Sequence, residues 1–225
     1  MKTLDITFDL ETCALCPTAA VMSIGAVAWN RDNHDTPFFI EPRGEIDPTY
    51  LFAANVDLRG MFVDGFTFDQ NTASWWAAQS EEAKRAVRNN TMQLDPIDVI
   101  IDDFFEWIEE MKALRSADSV CLWCQGSDFD ISILKNICHR YHKTIPVDYT
   151  CFRDHRTFFL ESARIICNLA GTEFDPRKAY TMVDPYPGSG AAHEPLYDCR
   201  RSIYSTWQMM KHISCLPNKR LAVSG

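Results

Sequence analysis

The chain has 225 residues, a net charge of −9 and an isoelectric point near 5.1. No apolar run reaches the roughly 20 residues of a membrane span, and Asp5 would interrupt the apolar core of a signal peptide. We therefore expect a cytoplasmic protein without a membrane partner. The negative charge has the wrong sign for a protein that binds nucleic acid through a broad basic surface, although bound metal ions would reverse that field locally.

The first half of the chain predicts strands followed by helices. Residues 4–9 are β-rich, residues 21–29 are apolar enough for a strand buried on both faces, and residues 37–40 add a short third strand. A helical segment is expected from residue 71 to about residue 87, and it carries Trp75 and Trp76.

The second half alternates helices with strands, which predicts an α/β fold with a mixed sheet and helices on both faces. We expect five strands in one domain covering residues 1–225, and the core lies within about 3–212. An insertion is predicted at about 43–70 and a flexible C-terminal tail at about 214–225. The other expected elements are helices at 95–112, 130–141, 154–169 and 194–212, a strand at 119–124 and a loop at 171–192.

The nine cysteines are an odd number, which favours reduced thiols over a disulfide framework. Two Cys-x-x-Cys pairs, Cys13/Cys16 and Cys121/Cys124, have a spacing used by zinc sites. They are far apart in the chain, and the second pair lies in a predicted strand, where positions three apart face opposite sides. We therefore expect buried thiols rather than a zinc centre.

Three separated segments offer acidic side chains and one histidine. Asp9 and Glu11 are two apart on a strand and therefore face the same way, where a divalent cation would relieve their repulsion. Asp130 opens a helix after a strand, and Asp128 competes with it. Taken alone, each acid has an ordinary explanation, as a solvated strand end or as a helix cap.

The third segment joins His193 to Asp198. Pro195 fits the first turn of a helix, so Asp198 lies one turn inside that helix and His193 remains on the preceding loop. A metal ligand needs a rigid position, such as that of Asp198 in the helix. A general base needs a mobile one, such as that of His193 on the loop. The ordinary alternative is a capping histidine and an acid paired with Arg200 or Arg201.

At these residues the chain resembles the DEDDh group of 3′–5′ exonucleases, whose pattern is D-x-E, then F-D before a helix, then H-x4-D. The closer resemblance is to phage exonuclease A (the Dex A exodeoxyribonuclease) and its small bacterial and phage relatives. It covers residues 3–212 and implies an RNase H-like fold. Four further segments carry it, at residues 19–27, 74–83, 122–126 and 152–157.

The resemblance implies hydrolysis of the terminal phosphodiester with two Mg²⁺ or Mn²⁺ ions and release of nucleoside 5′-monophosphates. The implied metal ligands are Asp9, Glu11, Asp130 and Asp198, with Asp9 bridging, and His193 would be the general base. Asp130 rather than Asp128 is implied, because the family's acid follows the phenylalanine.

Other side chains are candidates for contact with the substrate. Leu10 and Thr12 lie beside the acids, and Phe129 is a further candidate, although a core position suits it better. Arg153 and Arg156 could grip phosphates or simply lie at a helix start. For Trp75 and Trp76, packing in the core or at an interface is favoured over base stacking.

The expected partner is the 3′ end of a nucleic acid, preferably single-stranded DNA. An exoribonuclease of the same superfamily is the first alternative, and a catalytically inactive binding module is the second. A kinase is disfavoured because the chain contains no glycine-rich P-loop. The sequence leaves the oligomeric state open, including a homodimer.

Overall fold

A computed structural model describes residues 2–87 and 93–215. From residue 216 onward, the tail predicted from the sequence lies outside the described residues. Within the described part of the chain, no helix combines the length and apolar character needed to cross a membrane.

A six-stranded mixed sheet forms the centre of the fold, in the order β4-β3-β2-β1-β5-β6. Neighbouring strands are antiparallel in β1–β2 and β2–β3 and parallel in β1–β5, β3–β4 and β5–β6. The strands are β1 (Thr3–Thr12), β2 (Val21–Trp29), β3 (Leu51–Val56), β4 (Leu94–Asp95), β5 (Ser119–Cys124) and β6 (Phe152–Asp154).

At some helix starts an aspartate side chain caps the free N–H groups. Asp69 accepts from the Thr72 amide at 2.9 Å, and Asp154 accepts from the Thr157 amide at 2.6 Å. Gly171, at φ 69°, ends the longer of these two helices. The helices are α1 (Leu58–Val63), α2 (Gln70–Ala77), α3 (Glu81–Val87), α4 (Ile97–Leu114), α5 (Asp130–Arg140), α6 (His155–Ala170) and α7 (Pro195–Ser214).

The two faces of the sheet pack against different helices. On β1 the even-numbered residues, such as Ile6 and Phe8, belong to a core shared with α4 and α5. Val27 and Trp123 instead face α7, where they pack with Ile203. Because side chains alternate along a strand, the odd-numbered residues of β1 face α6 and α7.

The mixed sheet with helices on both faces is confirmed, but it has six strands rather than five. The strand expected at 37–40 is wrong: Phe38 makes one isolated bridge to Trp29, and the third strand is β3. Pro37 lacks the N–H that a longer ladder would need. The segment predicted as an insertion at 43–70 thus contributes β3 to the sheet. The single helix expected from residue 71 is two, α2 and α3.

Candidate active site

The acids of the first motif lie at the end of the central strand, on the side that faces α7. Glu11 is buried at 8% exposure, and Asp9 is partly exposed. Asp9 lies opposite Gly25 in the β1–β2 register. The strand therefore holds both carboxyl groups in a fixed relation to each other and to β2.

Asp130 opens α5 and is buried at 3% exposure. Its Oδ1 accepts a hydrogen bond from the Leu10 amide at 3.3 Å, which ties it to the peptide between the two acids of β1. Asp128, two residues earlier, is exposed. The structure thus places Asp130 in the acid cluster and Asp128 on the surface.

The third motif meets the first at the N-terminus of α7. The His193 amide donates to Asp198 Oδ2 at 2.9 Å, and His193 Nδ1 lies 3.9 Å from Glu11 Oε1. One ligand atom from each of Glu11, His193 and Asp198 lies within 4.8 Å of the others. His193 has φ 67°, in the left-handed region that few residues other than glycine adopt. Strain of this kind is concentrated at functional sites.

Crowding changes the proton affinity of these carboxyl groups. Burial raises the pKa of Glu11 to about 9, and the charges of Asp198 and Asp130 add to this effect. Burial also raises the pKa of Asp130 to about 7, against the lowering effect of the Leu10 amide. The pKa of Asp9 is raised well above its usual range by desolvation and by its acidic neighbours. Ionising Asp9, Glu11 and Asp130 together is therefore costly without added positive charge.

This donor set fits divalent cations with oxygen ligands. The carboxylates of Asp9, Glu11, Asp130 and Asp198 converge from β1, α5 and α7, and hard cations prefer such oxygens. Asp198 Oδ1 has Arg201 at 3.0 Å as an ion-pair partner but no aligned hydrogen bond. A buried carboxylate oxygen with that spare capacity is available to a metal ion.

Metal addition is expected to stabilise the protein, and to do so more at about pH 8 than at about pH 5.5. The pKa of Glu11 rises from 4.5 to about 9 on folding, so the metal-free fold loses stability as pH rises through that window. A bound cation supplies the positive charge that is lost when these carboxyl groups release their protons. At about 100 times its Kd, Mg²⁺ or Mn²⁺ should raise the Tm by about 5–10 °C near pH 8. Melting curves with cation or EDTA test this, and equal shifts at both pH values would contradict it.

The position of α7 depends on Gly25. A Cβ added there would lie 2.7 Å from Pro195 Cβ and 2.9 Å from the Leu196 amide nitrogen. Cys199 also donates from its thiol to the Gly25 carbonyl, with an S···O distance of 3.5 Å. Because Gly25 lies opposite Asp9, this close approach brings Asp198 to the acids of β1.

Gly25→Ala is therefore expected to destabilise the fold by about 1–3 kcal/mol, because the added methyl meets backbone that cannot give way. Displacing α7 should also lower cleavage activity. Urea unfolding and a nuclease assay measure the two effects. Gly60→Ala is the matched control, since a Cβ there meets nothing within 4 Å. If both variants are equally stable, α7 does not depend on this contact.

A pocket of about 730 Å³ opens beside the acid cluster. Its walls include three residues predicted from the sequence to contact substrate, namely Leu10, Thr12 and Phe129, together with Glu11 and His193. The volume lies within the range typical of small-ligand sites. These predicted residues therefore share one cavity with the acid and the histidine.

Trp75 and Trp76 line the same pocket, which the sequence interpretation of them as core or interface residues missed. Their rings meet His193 edge to face, with centroids 4.9 and 5.5 Å from the imidazole. Trp76 Nε1 donates to the Thr12 carbonyl at 3.1 Å, while Trp75 is 46% exposed. Trp76 thus fixes α2 against β1, and Trp75 offers an open ring to the cavity.

Arg153 and Arg156 lie outside this pocket. Arg153 lines a separate groove with Arg31 and donates to the Thr150 carbonyl at 2.6 Å. Arg156 lines a different cavity and donates to the Gln125 carbonyl at 3.2 Å. Neither arginine contacts the space beside Glu11 and His193.

A buried polar network below the acids was not identified from the sequence. His155 Nε2 lies 2.9 Å from Thr7 Oγ1, and its Nδ1 lies 2.7 Å from Thr206 Oγ1. Trp29 Nε1 donates to the same Thr7 hydroxyl at 3.0 Å. Burial lowers the pKa of His155 to about 3, so the ring is neutral. The network joins α6 and α7 to β1 at Thr7, two residues before Asp9.

The chain is similar to one protein family and to solved nuclease structures. A family model for the 3′-5′ exoribonuclease Rv2179c-like domain matches residues 5–207. The crystal structure of cell-death related nuclease 4 (CRN-4) is similar at a TM-score of 0.59 and 14% identity, over 93% of this chain and 64% of that one. The nuclease domain of 3′hExo, a DEDDh family member bound to rAMP, gives a TM-score of 0.52 and 13% identity, over 94% and 93%.

No curated protein sequence matches the chain significantly. The two structures share its fold, and the family model covers most of its length. The chain belongs to the 3′-5′ exoribonuclease Rv2179c-like domain family.

Proposed function

We propose that the protein removes nucleotides one at a time from the 3′ end of RNA, using divalent cations, and releases nucleoside 5′-monophosphates. The observation that carries this proposal is the convergence of four carboxyl groups from β1, α5 and α7 beside a histidine on a loop. Hydrolysis of a phosphodiester needs centres of positive charge and a proton acceptor at one place.

Two Mg²⁺ or Mn²⁺ ions are proposed, held by Asp9, Glu11, Asp130 and Asp198. When bound, they would supply positive charge for the phosphate and for the leaving 3′ oxygen. Asp9 would be a ligand within this set, since its carboxyl group is close enough to the other three acids for their charges to raise its pKa. The proposed ligands lie on β1, α5 and α7, so regular secondary structure rather than a loop holds them in place.

His193 is proposed to accept the proton of the attacking water. Its ring is partly exposed, lies 3.9 Å from Glu11 and contacts the edges of two tryptophans. The hydrogen bond from its amide to Asp198 holds the loop against the ligand set. A proton taken by the imidazole can pass to solvent, because the ring is partly exposed.

The pocket lined by Trp75 is proposed to hold the terminal nucleoside. Leu10 and Phe129 offer apolar walls, and Trp75 offers a ring for the base. Asn71 and Thr72 add polar groups within the same walls, and these could read a 2′-hydroxyl. An aromatic pocket with a few polar groups suits one nucleoside better than a long strand.

RNA is the first candidate because the matching family is described as an exoribonuclease domain. Single-stranded DNA, which the resemblance to phage exonuclease A favours, is the second candidate. Both substrates would use the same acids, and only contacts near the terminal sugar would distinguish them. The cytoplasmic location and the possible homodimer remain predictions from the sequence.

A time course on 3′- and 5′-labelled RNA and DNA of one sequence, with Mg²⁺, Mn²⁺ or EDTA, tests the proposal. We expect metal-dependent release of 5′-mononucleotides from the 3′ end, with RNA cut faster. Faster cleavage of DNA would transfer the proposal to the second candidate. A folded protein that cuts neither polymer would favour the inactive binding module.

A further inference from the structure

A second cavity of about 510 Å³ lies between α6, α7 and the segment at residues 176–186. It is separate from the pocket that contains Trp75, and the two share no lining residue. Arg156 and Arg201 line it, together with Tyr180. The reaction proposed above uses none of these three side chains.

The acid cluster is connected to lining residues of both cavities through Asp198. Asp198 Oδ2 accepts from the amide of His193, which lines the first pocket, and Asp198 Oδ1 lies 3.0 Å from Arg201, which lines the second. Arg156 bonds the carbonyl of Gln125, in the loop that leads to Asp130.

The second cavity contains positively charged side chains and an aromatic ring, which are groups that bind a nucleic acid strand. Among the residues that line this cavity in the described part of the chain, two carry a guanidinium group and one, Asp184, carries a carboxyl group. His155 also lines it but stays neutral, because burial lowers its pKa to about 3. Arg201 pairs with Asp198 through one guanidinium nitrogen, but its side chain is 53% exposed, so its other N–H groups can bind a phosphate.

Tyr180 presents a prepared stacking surface in this cavity. One face of its ring lies on buried Phe159, with centroids 4.3 Å apart and an interplanar angle of 6°. Gln125 Nε2 donates to its hydroxyl at 3.2 Å, which fixes the ring's rotation. The side chain nevertheless remains 42% exposed. A base can therefore stack on the open side without displacing a protein ring.

We propose that this cavity binds the part of the substrate strand on the 5′ side of the bond being cut. Tyr180 stacks on an upstream base, and Arg156 and Arg201 hold upstream phosphates. The inference rests on the proposed function, since it assigns a further section of the same strand. A dinucleotide carries only the phosphate that is cut, so it gains nothing from these arginines, whereas a hexanucleotide does.

The test compares kcat and KM for an RNA dinucleotide and an RNA hexanucleotide in Mg²⁺. Tyr180→Ala should raise KM for the hexanucleotide at least about fivefold, the lower end of the range for loss of one stacked base. Its kcat, and both constants for the dinucleotide, should stay unchanged. Tyr180→Phe should restore the hexanucleotide KM, because it retains the ring and loses only the hydroxyl contact with Gln125.

Arg156→Gln should also weaken binding of the hexanucleotide and reduce its salt dependence. Arg164→Gln is the matched control on the same helix, because Arg164 pairs with Glu161 and does not line the cavity. A hexanucleotide KM that is unchanged in Tyr180→Ala, or equally raised in Tyr180→Phe, would overturn the inference. Absence of metal-dependent cleavage of either substrate by the unaltered protein would instead overturn the proposed function.

Discussion

Replacing Asp9 with asparagine is expected to abolish cleavage and, in the absence of metal, to make the protein more stable. Asp9 lies among three other acids whose charges raise its pKa, so its carboxylate contributes repulsion until cations are present. Loss of several kcal/mol of transition-state stabilisation should slow turnover at least about 10³-fold. Removal of the repulsion should raise the free energy of unfolding by about 0.5–2 kcal/mol near neutral pH.

Single-turnover assays and urea unfolding in EDTA measure these two effects. Asp128→Asn is the matched control, since it removes the same charge from an exposed position. It should leave activity within about threefold, in keeping with a surface substitution. Wild-type activity in Asp9→Asn would reject the assignment of the acid cluster. If Asp128→Asn lowers activity more than Asp130→Asn does, Asp128 rather than Asp130 serves the reaction.

Replacing His193 is expected to slow turnover by about 10²-fold or more while leaving cation affinity nearly intact, because the proposed role is proton acceptance. Asparagine is the sharper replacement than alanine, since the backbone has φ 67° and asparagine tolerates this region. His193→Asn should thus preserve the amide bond to Asp198. Rapid-quench turnover and calorimetric titration with Mn²⁺ separate chemistry from binding.

Trp75→Phe is a useful control for this second experiment, since it preserves an aromatic edge against the imidazole ring. Its kcat should remain near that of the unaltered protein. Loss of cation binding in His193→Asn would identify His193 as a ligand rather than a base. Unchanged turnover would remove it from the mechanism.

Local periodicity predicted how each segment presents its acids, whereas the resemblance to the DEDDh exonucleases implied that the segments meet and that Asp130 rather than Asp128 takes part. Two residues of separation place Asp9 and Glu11 on one face of a strand, and Pro195 fixes where α7 starts. The structure brings these acids together with Asp130 and Asp198. Their roles in hydrolysis remain proposals for the variants above.

Contacts between distant elements could not be predicted in this way. Trp75 and Trp76 show no local sign that they would meet an imidazole more than a hundred positions later. Residues 51–56 gave no clear period, so β3 was missed, and it is the pairing with β2 that makes this segment a strand. Arg156 was singled out for phosphate, but its place in a separate cavity depends on how α6 packs on α7.

The distribution of the acids along the chain also affects when the enzyme can first act during its synthesis. Asp9 belongs to the first strand and Asp198 to the last helix, about 190 residues later. At roughly 5–20 residues per second, a ribosome needs about 10–40 s to bridge that interval. Until α7 emerges and docks on β1 and β2, a nascent chain has an incomplete ligand set and no histidine beside it. The proposed site can therefore form only after α7 has been translated.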